Sequence, residues 1–313
     1  MCGFIGELNF VGRASAKPLT TILHRGPDEQ GTWLSSDQRC WFGHTRLAIQ
    51  DVSNAGSQPI SSHCGRFTLV FNGEIYNNTE LRNCLRFKKW RGHSDSETLV
   101  EGLAQRGPAL LLDVRGMFAF AAYDSLKQQL LIGRDRVGIK PLYVLWDDDR
   151  ICFASEMRSL SSTPRLSLEE VSQFLSWGHT QSKPLISCST DSKAFIIPSG
   201  TIIRLNLKRQ SEVIRYWPPQ PRPDWSALPL SNISQARYFL RNQVEEAVQQ
   251  HLLSDVPVAT FLSSGLDSGI LTALACRYST SDIASFTVTF PNQSDDEAQQ
   301  ARLMAKHCGS SHN

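Results

Sequence analysis

The sequence predicts an α+β layered domain of two packed antiparallel sheets with helices, followed by the beginning of a doubly wound α/β domain. Three observations carry this expectation. Short strand-like runs with Trp, Phe and Ile near turn residues fill the first half. Two helical stretches interrupt them. Beyond a proline-rich stretch, the pattern changes to strand–helix–strand–helix, the signature of a parallel sheet.

Strands are expected at 3–8, 31–35, 40–47, 67–71, 117–123, 129–134, 141–146 and 151–154. One helix starts near Asn78, and a second runs over 96–105, where Leu99, Leu103 and Ala104 share an inward face. From about Leu166 the texture turns rich in Pro, Ser and Asp. The stretch 216–229 holds too many prolines for a helix or a central strand and reads as a linker. A helix follows over 234–253, with Ala236, Leu240, Val244, Val248 and Leu252 on one face. Then come a buried strand at 256–262, a helix at 269–277, a strand at 283–290 and a helix at 295–307. The domain division that results is 2–165, 166–230 and 231–313.

At 313 residues the chain has room for two domains, and 41% hydrophobic with 20% charged residues is a globular composition. A net charge of +2 with no basic stripe argues against nucleic acid as a partner. No apolar run is long enough to cross a bilayer and no signal peptide opens the chain, so the expected location is cytoplasmic. None of the eight cysteines stands in a Cys-x-x-Cys pair or at zinc-ligand spacing from a His, so a structural metal is not expected. Seven read as small buried hydrophobes.

Cys2 is the exception. Removal of Met1 would place a thiol and a free α-amine on one residue, nucleophile and base together. Phe-Asn-Gly-Glu-Ile-Tyr-Asn (71–77) ends an apolar strand and is expected to turn at Asn72-Gly73. There it reads either as a hairpin turn or as two donors, amide and N–H, facing one oxyanion. Arg46 at a strand end reads as a surface ion pair or as a fork for a carboxylate. Ser94-Asp95-Ser96-Glu97 reads as a helix cap. Arg46 and Asp95 together match the two charges of a free amino acid. His24-Arg25-Gly26-Pro27-Asp28 reads as a Gly-Pro turn or a loop covering the site. The second centre is Leu262-Ser263-Ser264-Gly265-Leu266-Asp267-Ser268, a buried strand running through a small-residue loop into a helix. Its amides and hydroxyls would cradle an anion and Asp267 would help hold a magnesium ion.

In chain order, these motifs resemble the glutamine-hydrolysing asparagine synthases, of the class II amidotransferases. They are Met-Cys-Gly-Phe-Ile-Gly, His24–Asp28, His44–Leu47, Phe71–Asn77, Ser94–Glu97, the run Arg134–Tyr143, Phe153–Glu156 and Ser263–Ser268. The resemblance implies a four-layer αββα N-terminal-nucleophile domain and an ATP-pyrophosphatase-type domain after it. It implies that Cys2 attacks the side-chain amide of glutamine and that Asn72 and Gly73 hold the oxyanion. Arg46 would take the substrate's α-carboxylate, Glu74 and Asp95 its α-ammonium, and the loop around Arg25 would close over the site. Ser263, Gly265, Asp267 and Ser268 would hold ATP and Mg²⁺, with Leu262 and Val288 near the adenosine and Asp267 on the metal. Ammonia would then displace AMP from an ATP-activated aspartate. Glutamine, aspartate and ATP are the implied partners, with no nucleic acid, membrane or tightly bound organic cofactor; a homodimer stays open.

The chain departs from the family pattern at Ser264, where a glycine is usual, and at Gln50 and Thr289. It stops at Asn313, short of the family's aspartate site, so a fragment with at most glutaminase activity is expected. Another carboxylate acceptor within the same family, or a catalytically silent binding protein, are the alternatives.

Overall fold

A computed structural model describes residues 2–160, 168–179, 193–217, 232–289 and 296–313. The chain divides into two compact units, Met1–Pro219 and Gln220–Asn313.

The strands of the first unit begin with Gly3–Asn9 (β1), Glu29–Leu34 (β2), Cys40–Arg46 (β3), Ile60–Ser61 (β4), Phe67–Ile75 (β5) and Gly116–Asp124 (β6). They continue with Gln129–Arg134 (β7), Tyr143–Trp146 (β8), Arg150–Ala154 (β9), Lys193–Ile196 (β10), Thr201–Asn206 (β11) and Ser211–Arg215 (β12). Helices are Asn78–Cys84 (α1), Asp95–Arg106 (α2) and Leu168–Trp177 (α3). Two six-stranded antiparallel sheets result, in the orders β10-β8-β9-β1-β3-β2 and β12-β11-β7-β6-β5-β4.

Side-chain alternation explains how the layers hold together. Phe4, Leu8, Phe42, Val70, Ala119, Ala121 and Ile132 come from both sheets and form the apolar layer between them. Residues one place along the same strands, Leu69, Phe71, Phe118 and Phe120, point the other way and pack on Leu99, Val100 and Leu103 of α2. The outer face of the first sheet presents Ile5, Trp41 and Ala154, which pack with Ile22 from a pair of 3₁₀ turns. The two packed antiparallel sheets with helices expected from the sequence are therefore present.

Two features depart from the sequence reading. Residues 193–215, placed in an extension, supply three strands to the two sheets, β10 beside β8 and β11–β12 beside β7. Asn72-Gly73 is not a turn: β5 runs unbroken to Ile75, paired with β6 from Phe67↔Asp124 to Ile75↔Gly116. Nine ladder pairs and an apolar layer on each face outweigh the local turn preference of one dipeptide. Most of the proline-rich linker and the expected boundaries at 165/166 and 230/231 lie outside the described residues.

The second unit contains Ile233–His251 (α4), Ala259–Phe261 (β13), Leu266–Tyr278 (α5), Ala284–Phe286 (β14), Asp296–Cys308 (α6) and Ser311–His312 (β15). Its strands are parallel, in the order β13-β14-β15, as the strand–helix alternation predicts. The short β15 was not foreseen. No described helix is long and apolar enough to cross a membrane.

Candidate active site

Cys2 directly precedes β1, and its continuation of the β1–β3 register sets it beside Arg46. The alternation that puts Phe4 and Phe42 between the sheets puts Cys2, His44 and Arg46 on that inner face. On the opposite sheet, Asn72 and Glu74 follow Val70 inward. The expected nucleophile, oxyanion donor and amino-acid-binding residues are thus gathered at one end of the sandwich.

The thiol is half-buried. Cys2 Sγ lies 3.4 Å from both the Leu47 amide nitrogen and the Leu47 carbonyl oxygen. Burial pushes the thiol up, the Leu47 contact pulls it down, and Glu74 and Asp95 add to the rise. The His24–Asp28 loop is built onto this end. Arg25 Nε donates to the Cys2 carbonyl at 3.0 Å, and Arg25 Nη1 to Glu156 at 3.1 Å. A Cβ on Gly26 would sit 2.3 Å from the Thr45 carbonyl carbon, so only glycine lets the loop lie against β3. Asp28 completes the attachment by accepting from the Ala48 amide at 2.8 Å.

Asn72 is buried, and its Nδ2 has no hydrogen-bond partner among the described residues. A buried N–H₂ left without an acceptor is unfavourable unless a ligand supplies one. The ladder directs the Gly73 amide away from β6. On that side the neighbouring amides of Phe71 and Ile75 find Gln58 (2.7 Å) and Asp95 (2.9 Å). A Cβ on Gly73 would meet Met117 O at 2.3 Å. The Asn72 amide and the Gly73 N–H, expected at a turn, thus lie on a continuous strand.

Ser94 caps α2, accepting from the Glu97 amide at 3.3 Å. Asp95 behind it is more than a cap, since its carboxylate fixes the Ile75 amide. Glu74 is held above the usual carboxylate range by burial and by the neighbouring Asp95, and burial raises Asp95 as well. Two crowded carboxylates form a place where a cation is favoured. Gln50 Nε2 donates to Glu74 at 2.5 Å, which gives this departure from the family pattern a structural role. Arg46 is buried and engaged: Nη1 meets Glu29 at 3.2 Å and Ser53 O at 2.9 Å, and Nη2 reaches Asp51 O. Its fork therefore holds the 51–53 loop as well as facing the site.

The sequence reading gave no role to His44 and Lys140. His44 Nε2–H donates to Phe71 O at 3.1 Å, and its buried Nδ1 has no partner among the described residues. Lys140 is buried, and burial holds its ammonium below the usual lysine range while the charge of Glu74 works against that. Both lay inside recognised motifs, but neither stands in a local pattern that announces a role.

In the second unit, the expected anion loop leads into α5. Gly265 is the N-cap with an extended conformation and no side-chain cap, so the first-turn amides stay available. Ser264 is not among the residues with positive φ, so serine occupies the usual glycine place without backbone strain. Ser268 Oγ closes the loop, accepting from the Ser263 amide at 3.1 Å and donating to Gly265 O at 3.1 Å. A cleft of about 440 Å³ borders it, lined by Ser263, Ser264, Gly265, Gln300, Met304 and His307 among others. Leu262 and Val288 do not line it. Leu262 is buried against Ala301 and Ala305, and Val288 is exposed beyond β14. Asp267 is exposed in the first turn of α5, and no cluster of three His, Cys, Asp or Glu occurs among the described residues.

The glutamine amidotransferase domain family matches residues 1–217, and the asparagine synthase family matches residues 240–313. Asparagine synthetase B (glutamine-hydrolysing) of Escherichia coli K12 is 33% identical over 96% of this chain and 50% of its own length. Asparagine synthetase 1 of Bacillus subtilis is 30% identical over 99% of this chain and 49% of its own. The chain spans about half the length of these curated relatives. Among solved structures, a glutamine phosphoribosylpyrophosphate amidotransferase from B. subtilis, complexed with ADP and GMP, matches 99% of this chain and 90% of its own. The TM-score is 0.52 and the identity 15%, a likeness of fold. With Cys2, Asn72 and Glu74 converging between the sheets and the family match spanning nearly all of the first unit, the chain belongs to the glutamine amidotransferase family, and its residues 240–313 match the asparagine synthase family.

Proposed function

We propose that this chain hydrolyses glutamine at Cys2 and forms the glutaminase part of an asparagine synthase. The observation that carries the reading is the partnerless Nδ2 of buried Asn72 on the inner face shared with the Cys2 thiol. Removal of Met1 would free the α-amine, which takes the thiol proton as sulfur attacks the amide carbon. The carbonyl π pair moves to oxygen, where Asn72 Nδ2 and the Gly73 amide receive it. Collapse of the adduct expels ammonia, which leaves with the transferred proton, and water then cleaves the thioester to give glutamate. Glu74 and Asp95 hold the α-ammonium, and Arg46, with the 51–53 loop it organises, meets the α-carboxylate.

For the second unit, the reading is ATP at the Ser263–Ser268 loop, its phosphates on the open amides of α5. Asp267 would hold Mg²⁺ bound with ATP, and the metal would supply neutralisation of phosphate charge. Aspartate is the acceptor this reading assigns to the whole protein, through an acyl-adenylate that ammonia opens with release of AMP. The test is release of ammonia and glutamate from glutamine by the purified, Met1-processed chain, alongside Cys2→Ala. Release by the parent and none by the variant is expected. A folded, processed parent that releases none overturns the reading.

A further inference from the structure

Beyond β3 the chain is pinned on both sides of one residue. The Leu47 amide nitrogen lies 3.4 Å from Cys2 Sγ, and the Ala48 amide donates to Asp28 at 2.8 Å. Arg46, at the end of β3, donates through Nη2 to Asp51 O and through Nη1 to Ser53 O at 2.9 Å. Asp51 turns the chain with a φ of 56°, a left-handed conformation that Asp tolerates better than most residues. Its carboxylate secures the turn, accepting on Oδ2 from the His93 amide at 2.7 Å and on Oδ1 from the Ser53 amide at 3.2 Å.

Between these anchors stands Gln50, partly buried, whose Nε2 donates to Glu74 Oε2 at 2.5 Å. The contact joins the two sheets at the site, since Gln50 follows β3 of the first and Glu74 lies in β5 of the second. The Gln50 side chain makes no other hydrogen bond among the described residues, so its amide is committed to this carboxylate. An ionised carboxylate offers about four lone-pair sites, which leaves Glu74 able to accept from a ligand as well. The charged groups facing Glu74 are Asp95 of α2, Lys140 of the 135–142 loop and the N-terminal amine. Burial and Asp95 push the Glu74 carboxyl up to about 8, while Gln50, Lys140 and the amine pull it down. Among these, Gln50 is the neutral donor. It favours the carboxylate without bringing a cation that would compete with a ligand's ammonium.

We propose that Gln50 is a positioning residue of the α-ammonium subsite: its carboxamide holds and orients Glu74 as the receptor for a ligand's ammonium. The proposal deepens the glutaminase reading and takes its ligand from it, but its first test needs no ligand. The chain is labelled with carbon-13 at the glutamate side-chain carboxyls, and the Glu74 resonance is identified by its loss in Glu74→Gln. Gln50→Met is expected to raise the Glu74 titration midpoint by about one pH unit, the scale of one hydrogen bond to a charged group. Calorimetry at pH 7 should then show glutamine binding Cys2→Ala about tenfold more weakly once Gln50→Met is added. In a Cys2→Ala, Glu74→Gln background the same change should cost nothing further, because Gln50 acts through Glu74. An unmoved midpoint, an unchanged glutamine affinity, or an equal loss in the Glu74→Gln background overturns the proposal. If Gln50→Met does not fold, Gln50→Ala takes its place, and failure of both to fold overturns it by assigning Gln50 to stability alone. A raised midpoint in a chain that binds no glutamine sinks only the glutaminase reading. Glutamine binding with an unmoved midpoint sinks only the role of Gln50.

Discussion

Arg25 Nε donates to the carbonyl oxygen of Cys2 at 3.0 Å, so the loop that borders the site is tied to the backbone of Cys2 itself. Glu156 holds the same guanidinium from the other side at 3.1 Å. Arg25→Ala releases the Cys2 backbone without opening the core. Glutamine hydrolysis is expected to fall by about ten- to a hundredfold in kcat/KM through misplacement of the thiol. Steady-state kinetics and a melting curve check this; an unchanged kcat/KM removes the anchor from the mechanism.

Asn72→Ala deletes a donor that has no partner within the described protein. Stability should hold, or rise slightly, because a buried unsatisfied group disappears. Glutamine hydrolysis should drop by roughly 10²–10³ in kcat, the usual loss for one oxyanion donor. Chemical denaturation beside single-turnover kinetics separates the two effects. A large loss of stability would show Asn72 to be structural.

Gly73→Ala behaves in the opposite way. The added Cβ would lie 2.3 Å from Met117 O and 2.6 Å from Phe118 Cβ, so β5 or β6 must shift. Overpacking of this kind typically destabilises by about 1–3 kcal/mol. A lowered melting temperature together with lost activity is expected, where Asn72→Ala loses activity alone.

Glu74 and Asp95 bind protons more tightly in the folded, ligand-free chain than in the unfolded one. Their contribution to stability is therefore present at acid pH and is lost as pH rises through their raised folded values. A bound α-ammonium favours the ionised carboxylates, so binding should release protons. Glutamine should accordingly bind Cys2→Ala more tightly as pH rises from the ordinary carboxylate range toward neutrality. Calorimetry in buffers of different ionisation enthalpy measures the protons released. Glu74→Gln should flatten the trend, and a pH-independent affinity would contradict this assignment.

His44 works with the other sign. Burial pushes its imidazole down to about 4, and the neutral ring donates Nε2–H to Phe71 O. Its contribution is present above the unfolded value near 6.5 and is lost as pH falls toward about 4. Acid destabilisation relative to His44→Gln should reach about 3 kcal/mol at the low end. Urea titrations at several pH values give the difference directly, and parallel pH curves would show that His44 does not titrate on unfolding.

Much of this molecule was legible in the residues alone. Cys2, the motif order, both sheets' core strands and the parallel start of the second unit follow from local alternation and turn chemistry, which neighbouring residues decide between themselves. What the residues left open is settled by partners distant in the chain. Asn72-Gly73 carries turn chemistry, yet the β6 ladder holds it straight, with the Asn72 side chain on the inner face and the Gly73 amide directed away from β6. Strands β10 to β12 lie beyond a break in texture, yet backbone pairing returns them to the sheets. Lys140 carries no local signal for burial, and only the fold, with Arg134 and Asp135 holding its backbone, buries it. Local periodicity determines which face a residue takes on its own strand, whereas the strand opposite determines what that face meets. The residue types proposed for catalysis were therefore set by sequence, and their convergence by the tertiary fold.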